Sequence, residues 1–368
     1  MENIRAATES FEKWLASQTT IVRRDLAWKH ERLRDSPFAF LRGTFYRWIE
    51  QWTDVCGPLT GSPRVLSVGD LHVENFGTWR DIEGRLVWGV NDVDEAAVLP
   101  YANDLVRLAT SAGLAVRECH LQLPLRNICD SILEGYTASL DRGGQPVVIA
   151  ERRRWLRDVA ISDLRDPKKF WSGMRALPTA SRRVPGEAIR ALEALMPEAR
   201  IEYTVRRRTA GVGSLGRQRF VALADWKGGL IAREAKAYVV SAASRLAVSG
   251  SSRVASPAQG GAARQLIDAA VRIRDPFWGI HGSWIVRRLA PDCSRIEIED
   301  LPAKRNERKL LRAMGWETAN MHLATPRASA AILRDVRSRR PRWLERAASD
   351  MADAVTADWR GWTATERE

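Results

Sequence analysis

Val68-Gly69-Asp70-Leu71-His72-Val73-Glu74-Asn75-Phe76-Gly77, followed by Asn91-Asp92-Val93-Asp94, is the stretch whose reading decides the fold. Arg64–Val68 predicts a strand that runs into a tight polar loop, Gly69–Gly77. A second strand, Arg85–Val90, delivers Asp92 and Asp94, and Asp81–Gly84 is the turn before it. An Asp with an Asn five residues later, and a further Asp one hairpin on, is a layout that phosphoryl transfer can use. One carboxylate accepts the substrate hydroxyl proton, while the Asn and the later Asp hold the magnesium that bridges nucleotide phosphates. The pattern G-D-x-H-x-x-N also fits a plain polar turn, so the neighbouring segments have to decide.

Before this stretch, Ser10–Gln18 predicts a short helix with Phe11, Trp14 and Leu15 on one side. Ser36-Pro37 is a helix start, because Ser caps the free N–H groups and Pro has none to lose in the first turn. A helix through Phe45, Trp48 and Trp52 stops before Gly57-Pro58. Arg42 stands alone in an apolar stretch. It either lays its stem along that surface or pairs with a buried acid, and an Asp of the central loop is the expected partner. After the stretch, Tyr101 opens a long helix with Leu105, Leu108, Ala109, Ala112 and Val116 on one face. Asp104, near its start, reads locally as a helix cap. Helices are also expected over Leu125–Leu140, Ala150–Val159 and Gly186–Leu195, with the run Glu151-Arg152-Arg153-Arg154 as a solvated helix face.

The pattern changes near residue 200, where Ile201–Arg207 alternates like a strand. Gly211-Val212-Gly213-Ser214-Leu215-Gly216 follows, a complete G-x-G-x-x-G. In a dinucleotide-binding fold this motif must open a helix. Here Arg217–Leu223 reads as a strand, with Asp225–Gly229 as a turn. The glycines therefore sit in a strand–loop–strand hairpin, the setting of a kinase phosphate-covering loop, where backbone N–H groups approach phosphate oxygens with no Cβ in the way. Leu230–Ala237 is the next strand. Lys236, 20 residues after Gly216, falls where a phosphate-pairing lysine is expected, and a surface lysine at a strand end is its plainer reading. Trp284–Pro291 predicts a strand running into a connector; Lys309–Leu323, Ala328–Val336 and Arg342–Trp359 predict helices.

The composition sets outer bounds. The 368 residues are 45% hydrophobic and 28% charged, as a globular chain requires. No apolar run nears the roughly 20 residues that span a bilayer, so no membrane partner is expected. Met1–Gln18 carries scattered charges and no apolar core, which argues against a secretory signal. Cys56, Cys119, Cys129 and Cys293 form no C-x-x-C pair, and a reducing cytoplasm is the expected setting. The net charge of +13 suits nucleic acid, an anionic surface or a phosphorylated ligand. No basic helix motif or aromatic stacking platform accompanies it, so a solvated Arg-rich surface is expected rather than a nucleic-acid partner. The 15 Trp are expected in core and groove packing.

In a kinase the glycine loop and lysine precede the catalytic loop; here they follow it. A circular permutation accounts for that order and leaves the site intact, with the new ends on the surface of the helical part. The segments S-P-F-A-F-L-R-G, V-G-D-L-H-V-E-N-F-G, N-D-V-D-E-A, Y-A-N-D-L-V-R-L-A-T-S and V-G-S-L-G resemble a bacterial family described only as a domain of unknown function. That family is similar to the aminoglycoside phosphotransferase and protein-kinase superfamily, in permuted order. The resemblance runs over residues 20 to 345 or so. It implies a bilobal α+β fold: residues 1–200 as a helical lobe with the catalytic loop, 201–300 as an inserted strand-rich nucleotide lobe, and 301–368 as helices completing the first.

The same resemblance implies roles. Asp70 is the general base. Asn75 and Asp92 ligate magnesium, with Asp94 an alternative or second ligand. Gly211, Gly213, Ser214 and Gly216 cover the phosphates of ATP, and Lys236 pairs with them. Asp104 braces the catalytic loop, and His72 matches a His that orients it. Two departures stand out: Val68 replaces the His that usually precedes G-D, and no Glu or Asp occurs between Ala237 and Leu266 to pair with Lys236. Glu234, on the same strand face as Lys236, is the candidate substitute. The expected function is ATP-dependent phosphotransfer to an unknown small-molecule or protein acceptor. A nucleotide-binding pseudokinase or nucleotidyl transferase of the same fold is the alternative, and a basic nucleic-acid-binding protein a more distant one.

Overall fold

The computed structural model describes residues 2–118, 123–149, 155–156, 166–180, 184–249, 261–293 and 306–364. Its strands are β1 (Arg64–Ser67), β2 (Phe76–Arg80), β3 (Leu86–Val90), β4 (Ala97–Pro100), β5 (Val147–Val148), β6 (Thr204–Arg207), β7 (Arg219–Trp226), β8 (Gly229–Ala237), β9 (Gly279–His281) and β10 (Trp284–Leu289). β1 pairs antiparallel with β4, Arg64 opposite Pro100. β2 and β3 form a hairpin, Phe76 opposite Val90, and β5 adds to β3. The last five strands make one antiparallel sheet in the order β6-β7-β8-β10-β9. With the helices, this is a mixed α+β protein. Among the described residues no helix is long and apolar enough to cross a membrane.

Local chemistry places most element ends. The Ser36 hydroxyl accepts from Ala39 N–H at 3.1 Å, opening the helix Pro37–Gly43. The first helix is longer than its apolar triplet predicts. It runs Ile4–Gln18 because the Asn3 side chain caps Ala6 N–H at 2.9 Å. The Asp81 carboxylate accepts from Glu83 N–H (3.0 Å) and Arg85 N–H (2.8 Å), closing the β2–β3 turn where it was expected. Phe76 and Gly77, expected in the loop, already belong to β2. The sequence pattern does not predict Arg23–Arg32, Pro167–Ala176, Ala242–Ser249 or Gly261–Ala269 as helices, nor β4 as a strand. Arg23–Arg32 buries only Lys29, so it carries no apolar stripe to read. The helix expected over 150–159, with the run 151–154, lies outside the described residues apart from Trp155 and Leu156.

The helix Tyr101–Glu118 follows β4 directly and is buried on nearly every side. The helix Trp343–Thr363 packs along it and also meets Phe45–Val55, where the Asp358 carboxylate accepts from Arg47 Nε at 2.7 Å and Gln51 Nε2 at 2.8 Å. Arg5 Nη2 donates to the Trp362 carbonyl at 2.8 Å, so the first and last described helices meet. Leu125–Asp141 and Glu307–His322 cross closely: a Cβ on Gly135 would overlap the Arg312 carbonyl, and one on Gly315 the Ile132 carbonyl. The second of these helices thereby carries Glu317, Asn320 and His322 into the interior.

The five-stranded sheet has two different faces, as strand alternation requires. On one, Phe220, Ala222, Ala235, Ala237, Trp284 and Val286 pack under Ala188, Ala191 and Leu192 of the helix Gly186–Glu193. On the other, Val221, Leu223, Ala232 and Leu289 pack on Phe170 and Met174 of Pro167–Ala176. Continuing along that second face, the register sets Arg219 opposite Lys236, and both Val221 and Arg287 opposite Glu234.

Asp104 joins these parts. It is fully buried, and its carboxylate accepts from the N–H groups of Val68 (2.7 Å) and Gly69 (2.9 Å) and pairs with His322 Nε2 at 3.0 Å. Its bonds reach a loop distant in the chain, so it is more than the local cap its position suggested. Asp104→Ala leaves two buried N–H groups and a histidine unmatched. The expected loss of unfolding free energy is about 3 kcal/mol, measured by urea denaturation; a change below about 0.5 kcal/mol would show that the brace does not matter.

Candidate functional site

The β2–β3 hairpin explains how residues far apart in sequence meet. Asn91 N–H donates to the Asn75 carbonyl at 2.9 Å, which extends the ladder just beyond the strands. Asn75 and Asp92 are thus neighbours. Asn75 Oδ1 accepts from Asp92 N–H at 2.8 Å, and its Nδ2 donates to the carbonyls of Asp70 (3.0 Å) and Asp92 (2.9 Å). One amide side chain therefore stitches the 70s loop to the 90s loop. Gly69, at φ +82°, lies where an added Cβ would overlap the Glu95 carbonyl, so the loops close only on glycine.

Asp70 carries its own counter-charge. Arg107, fully buried in the helix Tyr101–Glu118, donates from Nε to Asp70 Oδ1 at 2.9 Å and from Nη2 to the same oxygen. Its guanidinium lies over the rings of Phe45 and Trp48, about 5 Å from each centroid. Burial raises the Asp70 carboxyl above the usual range, with Arg107 opposing. Asp70 Oδ2 lies on the side of Gly213, where an added Cβ would come 3.5 Å from it and 3.0 Å from the Arg42 carbonyl. The glycine loop thus rests on Asp70. It contains a short 3-10 turn, Val212–Ser214, rather than a bare hairpin tip, and Gly211 takes φ +76° to enter it. Gly216 (φ +94°) leaves the turn against Leu26, and the Ser214 hydroxyl accepts from Arg219 Nη2 at 2.6 Å.

Lys236 leaves the sheet at the end of β8 and reaches the other half of the site. Its Nζ pairs with Asp92 Oδ2 at 3.0 Å and with Asp94 Oδ2. Asp94 in turn pairs with Arg217 at 3.4 Å, and Arg217 with Glu95 at 3.3 Å. Burial pushes Asp92 up, but the Lys236 ammonium prevails and holds it well below the carboxylate range. Asp94 is pushed up to about 7 by burial and by the Asp92 charge. One lysine between two close carboxylates, one half-buried and one buried, lets one ionise freely and leaves the other easy to protonate.

A cavity of about 60 Å³ brings together Asp70, His72, Asn75, Asp92 and Asp94 with Gly211, Gly213 and Ser214. His72 is buried in its wall. Of the expected site residues, Lys236 reaches the same group through its two carboxylates, while Gly216 stands outside this lining. Lys29 also lines the cavity, donating to the Gly213 carbonyl at 3.3 Å; burial and nearby Arg217 bring its ammonium down to about 8. Neither Lys29 nor Arg107 is picked out by sequence reasoning. The signal available for Arg107 is a lone arginine inside the apolar face Leu105–Leu108.

Two sequence-based expectations are corrected. Arg42 pairs with Glu74 of the central loop at 2.6 Å, not with an Asp, because Asp70 is already taken by Arg107. Glu234 does not serve Lys236. It is fully buried and paired with Arg208, with Arg219 at 3.0 Å and with Arg287 at 2.8 Å.

Asn75, Asp92 and Asp94 offer an oxygen-only donor set, which suits a hard cation such as magnesium. Asp94 Oδ1 is buried with no hydrogen-bond partner, an acceptor that a cation would satisfy. Among the described residues no group of three or more His, Cys, Asp or Glu is placed to hold a metal ion by itself. Magnesium needs none, since phosphate and water oxygens complete its shell.

The fold and site thus define a mixed α+β protein with a buried acid–amide–lysine cluster under a glycine loop. A family model, described as "Uncharacterized protein conserved in bacteria (DUF2252)", matches residues 22–166 and 182–365. The chain belongs to that family. No curated protein and no solved structure matches it.

The site predicts a pH effect on stability. The folded chain keeps a proton on Asp94 up to about 7, whereas the unfolded chain releases it near 3.8. The folded state binds more protons in that window, so this group's contribution falls as pH rises from about 4 to about 7. Asp94→Asn is expected to remove that fall, read from denaturation midpoints across the window. An unchanged slope would place the titration elsewhere.

Proposed function

We propose that the protein is an ATP-dependent phosphotransferase of kinase-like, circularly permuted architecture, and that it phosphorylates a hydroxyl or amine of an acceptor not yet identified. The observation that carries this reading is the Lys236–Asp92 ion pair at 3.0 Å, made across 144 residues of sequence. It joins the strand that follows the glycine hairpin to the loop that follows Asp70 and Asn75. A kinase site needs a lysine on the third strand of its sheet and a metal-binding carboxylate beside the catalytic loop. β8 is the third strand of its sheet in chain order. In this reading residues 201–300 form the nucleotide lobe, and the helices before and after them form the other.

Each residue then has a task. Arg107 fixes Asp70 Oδ1 and leaves Oδ2 to accept the acceptor's proton. Asp104 holds the backbone of that loop still, and His72 supports it. Gly211, Gly213, Ser214 and Gly216 bring backbone N–H groups over the phosphates, and Lys236 neutralises their charge. Asn75, Asp92 and Asp94 would hold magnesium, which supplies charge neutralisation at the bridging phosphate oxygens. The cavity of about 60 Å³ is too small for a nucleotide, so the glycine loop must lift from Asp70 to admit one. A nucleotide-binding pseudokinase is the second reading. It is favoured by Lys236 being held by Asp92 and Asp94 rather than by a helix-borne acid.

Incubation with γ-labelled ATP, magnesium and a metabolite mixture tests this. Label transfer is expected, with loss of at least about 10²-fold in Asp70→Asn and nucleotide binding within about threefold of wild type. Magnesium-dependent binding without transfer would establish the pseudokinase instead. No nucleotide binding at all would sink both readings.

A further inference from the structure

A second cavity, of about 210 Å³, lies on the other side of Gly211. It is several times the ~30 Å³ share of one liquid water, so it suits a ligand of several heavy atoms. Arg208, Arg219, Arg272, Arg287 and Arg288 all line it, and among the described residues Asp275 is the one carboxylate that does so. Behind the wall, Glu234 takes one nitrogen each from Arg208, Arg219 and Arg287. Among the described residues that line the cavity arginines outnumber carboxylates five to one, with Glu234 behind the wall and Asp92, Asp94 and Glu317 acting on Arg287 and Arg272 from further off.

The partners of Arg272 and Arg288 are weak ones. Arg272 lies over the Trp79 ring at 4.6 Å and donates to Met321 Sδ at 3.6 Å. Arg288 donates to the Arg80 carbonyl at 2.8 Å and stands 3.7 Å from Asp275. The Nε of each is buried with no hydrogen-bond partner. Burial lowers the Arg272 guanidinium below its ordinary value, against the opposing fields of Glu317 and Asp275. Buried donors and charge of one sign are costly unless something of the opposite sign completes them.

We propose that this cavity binds a multiply charged phosphate chain, held by the guanidinium forks of Arg208, Arg219, Arg272, Arg287 and Arg288. Planar forks with paired N–H groups match phosphate oxygens two at a time, and five guanidinium groups around one space match a chain of phosphates better than a single carboxylate. The chain can come from a nucleoside triphosphate or from an inorganic polyphosphate. The inference does not depend on phosphoryl transfer at Asp70.

Titration calorimetry on the full chain, with inorganic tripolyphosphate as probe, tests it. Binding is expected, and the double variant Arg272→Met/Arg288→Met is expected to weaken it at least about tenfold. The single variants Arg272→Lys and Arg288→Lys keep the charge and lose the fork, so they should fall between. They also keep the test open if the double variant does not fold. Equal affinity for ATP and tripolyphosphate assigns recognition to the chain alone. ATP binding about tenfold tighter assigns the source to a nucleotide; in both cases the arginine variants must weaken it. The proposal is overturned if tripolyphosphate does not bind, or if Lys236→Met abolishes binding that the arginine variants leave unchanged. Tripolyphosphate binding lost in the arginine variants, with no label transfer by the wild type, would keep this site and discard the phosphotransferase.

Discussion

The Asp104 carboxylate is the fixed point of the molecule. It accepts two backbone N–H bonds from the turn after β1 and pairs with His322 from a helix more than two hundred residues later. His322 is itself tied to the Tyr136 hydroxyl at 2.7 Å. A buried carboxylate with every neighbour matched fixes geometry, because any displacement leaves a donor unpaired in a medium that punishes it. The turn it holds carries Asp70. Arg107, one helical turn beyond Asp104, then fixes the Asp70 side chain. Backbone and side chain of the same residue are thus set by one helix.

Charge organises the other side of the cleft in the same way. The register of β7, β8 and β10 lines up Arg219, Glu234, Lys236 and Arg287 on one sheet face, next to an apolar half covered by Phe170 and Met174. Within that row the acids and bases divide. Glu234 stays with three arginines, and their combined field holds it well below the carboxylate range despite burial. Lys236 reaches out to Asp92 and Asp94 instead. This division gives the molecule two adjoining polar spaces, one with carboxylates around a lysine and one with an excess of guanidinium. The glycine loop lies between them, and Gly211 lines both.

Tight contact over the smaller space has a consequence for dynamics. Gly213 rests against Asp70 and the Arg42 carbonyl, and Lys29 holds the Gly213 carbonyl from the far side. A short 3-10 turn between two strands is the kind of segment that can open locally without unfolding the sheet it joins. Gly211, at φ +76°, gives the loop a hinge that tolerates a change of φ.

Much of this was legible in the sequence, and the reason is locality. The Ser36 cap, the Asp81 turn, the strand that delivers Asp92, and the strand that carries Lys236 follow from periodicity and turn chemistry within a few residues, whereas β2 was read as part of the loop. The polar helix Arg23–Arg32 was not legible, since it buries a lysine rather than an apolar stripe. Nor were the partners of the charges. Arg42 with Glu74, Arg107 with Asp70, and Glu234 with Arg208, Arg219 and Arg287 are joined across 15 to 53 residues, each pair between separate segments. An ion pair leaves no period in the chain, and any of several arginines could have met a given acid. By itself the sequence determined which charged residues share a strand face, such as Glu234 and Lys236. Only the tertiary structure decided who neutralises whom, because that depends on distances in space between segments that are remote along the chain.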